Sequence, residues 1–206
     1  IDGFLEARRY VAHDGKPKYL SLYSTKTFEV LDSPVYRKAL ASQTDWSKAN
    51  IARFKNMIRS VARITINNGV GRGAAIGIVR LRLPEGGAEK LRAALGELLN
   101  PAKQDGIVSM HLIEGDPVLS RPLTDDAATS SPDAGDWFVL IDGTDVSAIS
   151  ANVAGLSGSA GDADNRACKA ALAAALAGRA NAALVDWRRD RPEAHVADWF
   201  FDWTHY

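Results

Sequence analysis

IGIVRLRLPEGGAEKLRAALGELLNPAKQDGIVSMHLI, residues 76–113, decides the fold. Its first eight residues are β-branched and apolar enough for a strand, and Pro84-Glu85-Gly86 ends them in a turn. Ala88, Leu91, Leu95, Leu98 and Leu99 then recur at helical spacing, and Asn100-Pro101 stops the helix. IVSMHLI, 107–113, returns to strand. A strand, a helix and a second strand in this order form a crossover unit, which in a single sheet is right-handed.

Downstream, the polar stretch 116–135 leads to WFVLI at 137–141, which reads as a strand; an Ala-rich helix is expected within 163–184, and an aromatic strand, ADWFFDWTH, at 197–205. The order β-α-β-β-α-β is the split crossover of the ferredoxin-like fold, with its helices on one face of an antiparallel sheet. Upstream, FLEARRYVA at 4–12 and YLSLYST at 19–25 are joined by a turn marked by Asp14-Gly15 and Pro17. Asp32-Ser33-Pro34 starts a helix over 34–41. Thr44 or Asp45 caps another over 46–60, and VARITI at 61–66 alternates as a strand. This half matches the ferredoxin-like order without its opening strand and helix. NNGVGRGAA, 67–75, reads as a linker, because closely spaced glycines and asparagines favour neither helix nor strand. The expected division is a first half over 1–68, a linker over 69–75 and a second half over 76–206. The fold class is α+β, two tandem ferredoxin-like halves whose bare sheet faces meet in a barrel.

GFLEARRYVAHDGKPKYLSLYSTKTFEVLDSPVYRKAL, residues 3–40, with RFKNMIRSVARI further on, resembles the EthD-like members of the dimeric α/β-barrel superfamily. The pattern is G-F-L-x-A-R-R-Y, a turn, K-Y-L-x-L-Y and a V-L-x-S-P-x-Y helix; the second half resembles the superfamily through its element order and W-F-V-L-I-D-G-T-D. The resemblance implies a barrel holding a small apolar or aromatic ligand. In relatives, a motif ahead of G-F-L carries acid–base residues, and no position of this sequence matches it.

The 206 residues carry 25 basic and 25 acidic side chains, so no global field favours a polyanion or an anionic membrane surface. No nucleic acid or membrane partner is expected. The single cysteine, Cys168, leaves no internal disulfide, and a cytoplasmic location is the default. His13, His111, His195 and His205 lack metal-ligand spacing, so no metal is expected. No cofactor is expected either; a haem would need an axial histidine, for which only His111 qualifies. Asn67-Asn68-Gly69-Val70-Gly71-Arg72-Gly73 precedes a strand, whereas phosphate loops open a helix. Gly155-Leu156-Ser157-Gly158-Ser159 reads as a Ser/Gly loop and not as a nucleophile elbow after a strand.

Strand alternation then selects the candidate site. In 107–113, Val108, Met110 and Leu112 suit the helices, which turns Ser109 and His111 toward the barrel interior. In 19–25, Leu20 and Leu22 suit the helices, which turns Tyr19, Ser21 and Tyr23 inward. Arg8 and Tyr10 share a face, Arg80 and Arg82 share another, and Trp199, Phe201, Trp203 and His205 form an aromatic row. His111 is the candidate general base, with Tyr19 and Tyr23 as donors to a carbonyl or enolate oxygen. Arg8, Tyr10, Ser109, Arg80 and Trp203 are candidate ligand-binding residues, the arginines as carboxylate clamps. Two readings stay open: a cofactor-independent isomerase, cyclase or monooxygenase acting on a small aromatic or polyketide-like molecule, and a non-catalytic binding or structural barrel. A homodimer is the preferred assembly, since an edge strand lacks its neighbour.

Overall fold

The computed structural model describes residues 1–13, 18–54, 58–81, 86–120, 135–158 and 183–186. The quoted stretch forms strand β4 (Ala75–Leu81), helix α3 (Ala88–Leu98) and strand β5 (Ile107–Gly115). β6 (Trp137–Gly143), α4 (Val146–Gly158) and β7 (Ala183–Asp186) complete the second half, in the hydrogen-bonded order β7-β4-β6-β5 with every pairing antiparallel. That order interlocks two crossovers and is ferredoxin-like. The first half supplies β1 (Phe4–Ala12), β2 (Tyr19–Thr25), α1 (Pro34–Ala41), α2 (Asp45–Ile51) and β3 (Ala62–Gly69).

The halves join at their sheet edges: β1 bonds β7 and β3 bonds β5, giving one seven-stranded sheet, β2-β1-β7-β4-β6-β5-β3. β2 and β3 lie at opposite ends of this sheet, yet Arg63 of β3 stacks at 4.5 Å over Phe28, three residues beyond β2. Ends can meet this way only if the sheet curls, so the strands form an incomplete barrel with a seam between β2 and β3.

Each sheet face has its own core. On the outer face Leu91, Leu95 and Leu99 of the α3 region and Ile149 of α4 pack on Val79, Leu81, Met110, Leu112, Val139 and Ile141. Each such side chain stabilises by about 1.5–3 kcal/mol on full burial. Ile149 seats so closely that a Cβ on Gly77 or Gly143 would lie 2.6 or 2.7 Å from it, so a side chain at either position would force Ile149 to shift. On the inner face Tyr10, Leu20, Ile76, Ile78, Phe138 and Leu140 meet, flanked by Leu22 and Ile113.

Several boundaries differ from expectation. Ser33 caps α1 by accepting from the Tyr36 N–H, and Thr44 caps α2 by accepting from the Ser47 N–H, as their sequence positions suggest. α2 nevertheless ends at Ile51 instead of reaching residue 60, because the chain near Val61 bonds elsewhere: the Val61 N–H donates to Ser120 Oγ at 2.8 Å and its carbonyl accepts from the Asp116 N–H at 2.8 Å. β3 runs through Asn67 and Asn68 to Gly69, since β5 offers a full ladder of partners there. Gly155 to Gly158 are helical, within α4, whose start Asp145 caps by accepting from the Ala148 N–H. Residues 183–184 are strand, not the end of a helix, and β7 takes the fourth sheet position that the sequence pattern assigns to 197–205. The rest of the Ala-rich stretch, the turn at 14–17 and the aromatic row 197–205 lie outside the described residues.

Candidate functional site

Inside the curled sheet lies a cleft of about 460 Å³ that opens at the β2–β3 seam. Its apolar wall is Leu20, Leu22, Ile78, Ile113, Phe138 and Leu140; its polar end holds Arg8, Asn67, Arg72 and His111. Volume and composition suit a small ligand with an apolar body.

β5 places Ser109 and His111 on the inner face, as its alternation predicts, while Met110 and Leu112 enter the outer core; an irregularity between Ile107 and Ser109 brings Ile107, and not the expected Val108, into that core. His111 is 5% exposed and pairs across the ladder with Asn67 of β3 and Leu140 of β6. Its Nε2 lies 3.0 Å from Ser109 Oγ, 3.5 Å from Arg72 Nη1 and 3.8 Å from Asp142 Oδ2. Its Nδ1 is sealed from solvent and has no hydrogen-bond partner, so any proton exchange with a ligand runs through Nε2. Burial lowers the His111 pKa, Arg72 and Arg8 lower it further, and Asp142 partly opposes them. The imidazole is therefore held neutral. Ser109 Oγ has one proton and three acceptors in reach: Gly71 carbonyl at 3.0 Å, His111 Nε2, and Asp142 Oδ2 at 3.4 Å. It can donate to Nε2 when the ring is neutral, or accept from Nε2–H and turn its proton to Gly71 or Asp142.

Ser109, His111 and Asp142 are not a nucleophilic triad. That mechanism needs the carboxylate on the ring nitrogen opposite the serine, whereas here both approach Nε2.

Asp142, fully buried on β6, organises the floor. It accepts from Arg8 Nη1 at 3.0 Å and from the Gly73 N–H at 3.2 Å. A Cβ on Gly73 would stand 2.0 Å from the Gly143 carbonyl oxygen, so the backbone reaches Asp142 only because residue 73 is glycine. Arg8 also donates to Tyr10 Oη at 2.6 Å and lies 3.1 Å from Glu6, which in turn pairs with Arg72 at 3.3 Å. Burial raises the Tyr10 pKa to about 12, keeping it a neutral phenol.

The other candidates are placed as follows. β2 presents Leu20 and Leu22 to the interior, the reverse of the expected facing, because Tyr10 pairs with Leu20 and Arg8 with Leu22 across the β1 ladder. Tyr19 stands on the opposite face near Lys18 and does not line the cleft. Tyr23, also on that face, packs edge-on against Phe4 and reaches the cleft at the seam. Arg80 pairs with Asp136 and is not part of the cleft lining, and Trp203 lies outside the described residues. Arg72, Asp142 and Glu6 were not singled out by sequence. Their signals are a lone charge among linker glycines, an acid in inward phase with Phe138 and Leu140, and an acid in phase with Arg8. Among the described residues no three His, Cys, Asp or Glu side chains gather as a metal site, and no helix is long and apolar enough to cross a membrane.

No protein-family model matches the chain, and no curated protein matches it in sequence. A solved structure described as an anthrone oxidase-like protein superposes with a TM-score of 0.64 over 92% of this chain and 79% of that one, at 13% identity. The fold is of the dimeric α/β-barrel type. At this identity the likeness speaks for the fold alone, and the site stands on its own geometry.

Proposed function

We propose that the chain is an EthD-like barrel enzyme that removes a proton from a small aromatic or polyketide-like carbon acid in the cleft, with His111 as the base and without a cofactor. The observation that carries this is a neutral, buried histidine in the cleft wall whose only exchangeable nitrogen, Nε2, lies beside a cation. Nε2 takes the proton, and Asp142 and the Ser109 oxygen stabilise the imidazolium. Arg72 stabilises the charge that develops on the ligand oxygen. Isomerisation, cyclisation and oxygenation all begin with this step, so the base alone does not choose among them.

The structural neighbour's description suggests a first substrate to try. An anthrone is a tricyclic aryl ketone with an acidified central methylene, and its oxidation balances as anthrone plus O₂ giving anthraquinone plus water. Incubation with anthrone in air, with formation of the quinone followed by absorbance, tests the reading. We expect turnover that falls by roughly 10²–10⁴ in His111→Gln. Equal rates in the two proteins would remove His111 from the chemistry.

A binding barrel without turnover is the second reading. It is favoured by the engagement of both carboxylates near His111 with arginines, which leaves neither placed as a second acid–base group.

A further inference from the structure

The charges around the cleft are segregated although the chain as a whole is neutral. Arg8, Lys26, Arg63 and Arg72 line it, and among the described lining residues there is no aspartate or glutamate. Asp142 is fully buried beneath Arg8, and Glu6, whose side chain is 29% exposed, pairs with Arg8 at 3.1 Å and with Arg72 at 3.3 Å. The two remaining cations belong to the seam. Lys26 follows β2, and Arg63 lies over the Phe28 ring, with Glu29 close enough to feel its charge but exposed and outside the lining. A guest therefore passes two cations at the mouth, meets an apolar wall of leucine, isoleucine and phenylalanine, and finds Arg72 at the polar end. Arg72 is the more accessible arginine there: its side chain, bonded to Glu6 and the Gly71 carbonyl, is 41% exposed, against 11% for Arg8, which is held by Tyr10, Asp142 and Glu6.

We infer that the cleft selects an organic anion, an aryl carboxylate or phenolate whose apolar body lies against Leu22, Ile78 and Phe138 while Arg72 and Arg63 hold its charge. This deepens the proposed function and rests on its reading of the cleft as a small-molecule site. A carboxylate entering an apolar chamber loses hydration, and cations placed in the lining, with no aspartate or glutamate among the described lining residues, offset that loss. A neutral isostere gains less, because its amide oxygen accepts a hydrogen bond from a guanidinium but brings no charge to it. Charge on the ligand therefore decides affinity, and apolar contact alone does not.

The test uses 1-naphthoate and its neutral isostere 1-naphthamide, titrated calorimetrically into the whole protein at pH 7.5. We expect the acid to bind at least about tenfold tighter, which is about 1.4 kcal/mol. Its Kd should rise several-fold between low and moderate salt, while that of the amide stays level. Arg72→Gln should remove most of the margin and weaken the amide far less than the acid. Arg63→Gln, on an exposed side chain, is the second variant should the first fold poorly. Ile64→Trp, at the 52% exposed seam position, should weaken both compounds by obstructing entry. Equal affinities, with both compounds weakened by Ile64→Trp, would overturn the anion inference and leave the cleft standing. Absence of binding by either compound, or binding indifferent to Ile64→Trp, would overturn both the inference and the reading it rests on.

Discussion

Replacing Asp142 by alanine withdraws the carboxylate to which the polar floor is bonded. The side chain is fully buried and accepts from Arg8 at 3.0 Å, from the Gly73 N–H at 3.2 Å and from Ser109 at 3.4 Å. Arg8 would keep Tyr10 and Glu6, but the Glu6 contact at 3.1 Å is not aligned as a hydrogen bond, and the guanidinium is nearly buried. Breaking one side of a buried pair costs about 3–5 kcal/mol. For a chain of this size each kcal/mol moves the melting temperature by about 2–4 °C, so Asp142→Ala should lower it by roughly 6–20 °C. Asp142→Asn keeps an acceptor for Gly73 and loses only the charge-assisted bond, about 1.5–3 kcal/mol. The decisive comparison adds Arg8→Met to Asp142→Leu. The double variant should be more stable than Asp142→Leu alone, because the stranded charge is gone. Differential scanning calorimetry reads the four variants against the parent. An Asp142→Ala melting point within ~2 °C of the parent, with no rescue by Arg8→Met, would refute the account of the floor.

Further outcomes follow from individual contacts. Because the His111 pKa is lowered on folding from its ordinary 6.5, the unfolded chain binds more protons once pH falls through that value. The urea midpoint should therefore drop between pH 7 and pH 5, and His111→Gln should flatten that slope; equal slopes would contradict a desolvated histidine. Gly73→Ala would place a Cβ against the Gly143 backbone, so it should destabilise by several kcal/mol in denaturant titrations, about as much as other severe core disruptions. Gly96 lies exposed on α3 with open space where its Cβ would be, so Gly96→Ala should raise stability by about 0.5–1 kcal/mol, and a loss there would argue against that helix.

In the second half the run from β4 through α3 and β5 to β6 was legible because its residues give one answer at every level, whereas the Ser/Gly run within α4 suggests a loop and the aromatic pattern puts the last strand at 197–205 and not at β7. On β5 only one row, Val108, Met110 and Leu112, is apolar through the middle of the strand, so His111 and Ser109 had to face the other way. β2 offered no such asymmetry: tyrosines and leucines can each cover a half-buried face, and only the ladder with β1 decides that the leucines go in. β6 is buried along its whole length, which hides its period, and Asp142 is then seen as an inner residue only by counting on from Phe138 and Leu140. α2 shows tertiary bonding at Val61 overriding helical spacing. Arg72 was passed over because glycines around a charge describe a linker equally well. What distinguishes it is the approach of Gly73 to Asp142, and that closeness is a property of the folded sheet.

Binding and chemistry alike require His111 to face a ligand chamber inside the curled sheet. Ring-selective ¹H–¹³C spectra of the four histidines, with His111 assigned through His111→Gln, test this directly during titration with 1-naphthoate. The account predicts a saturable shift of the His111 ring signals at the calorimetric Kd, with exposed His13 unmoved. Bound naphthoate that leaves the His111 signals in place would contradict it.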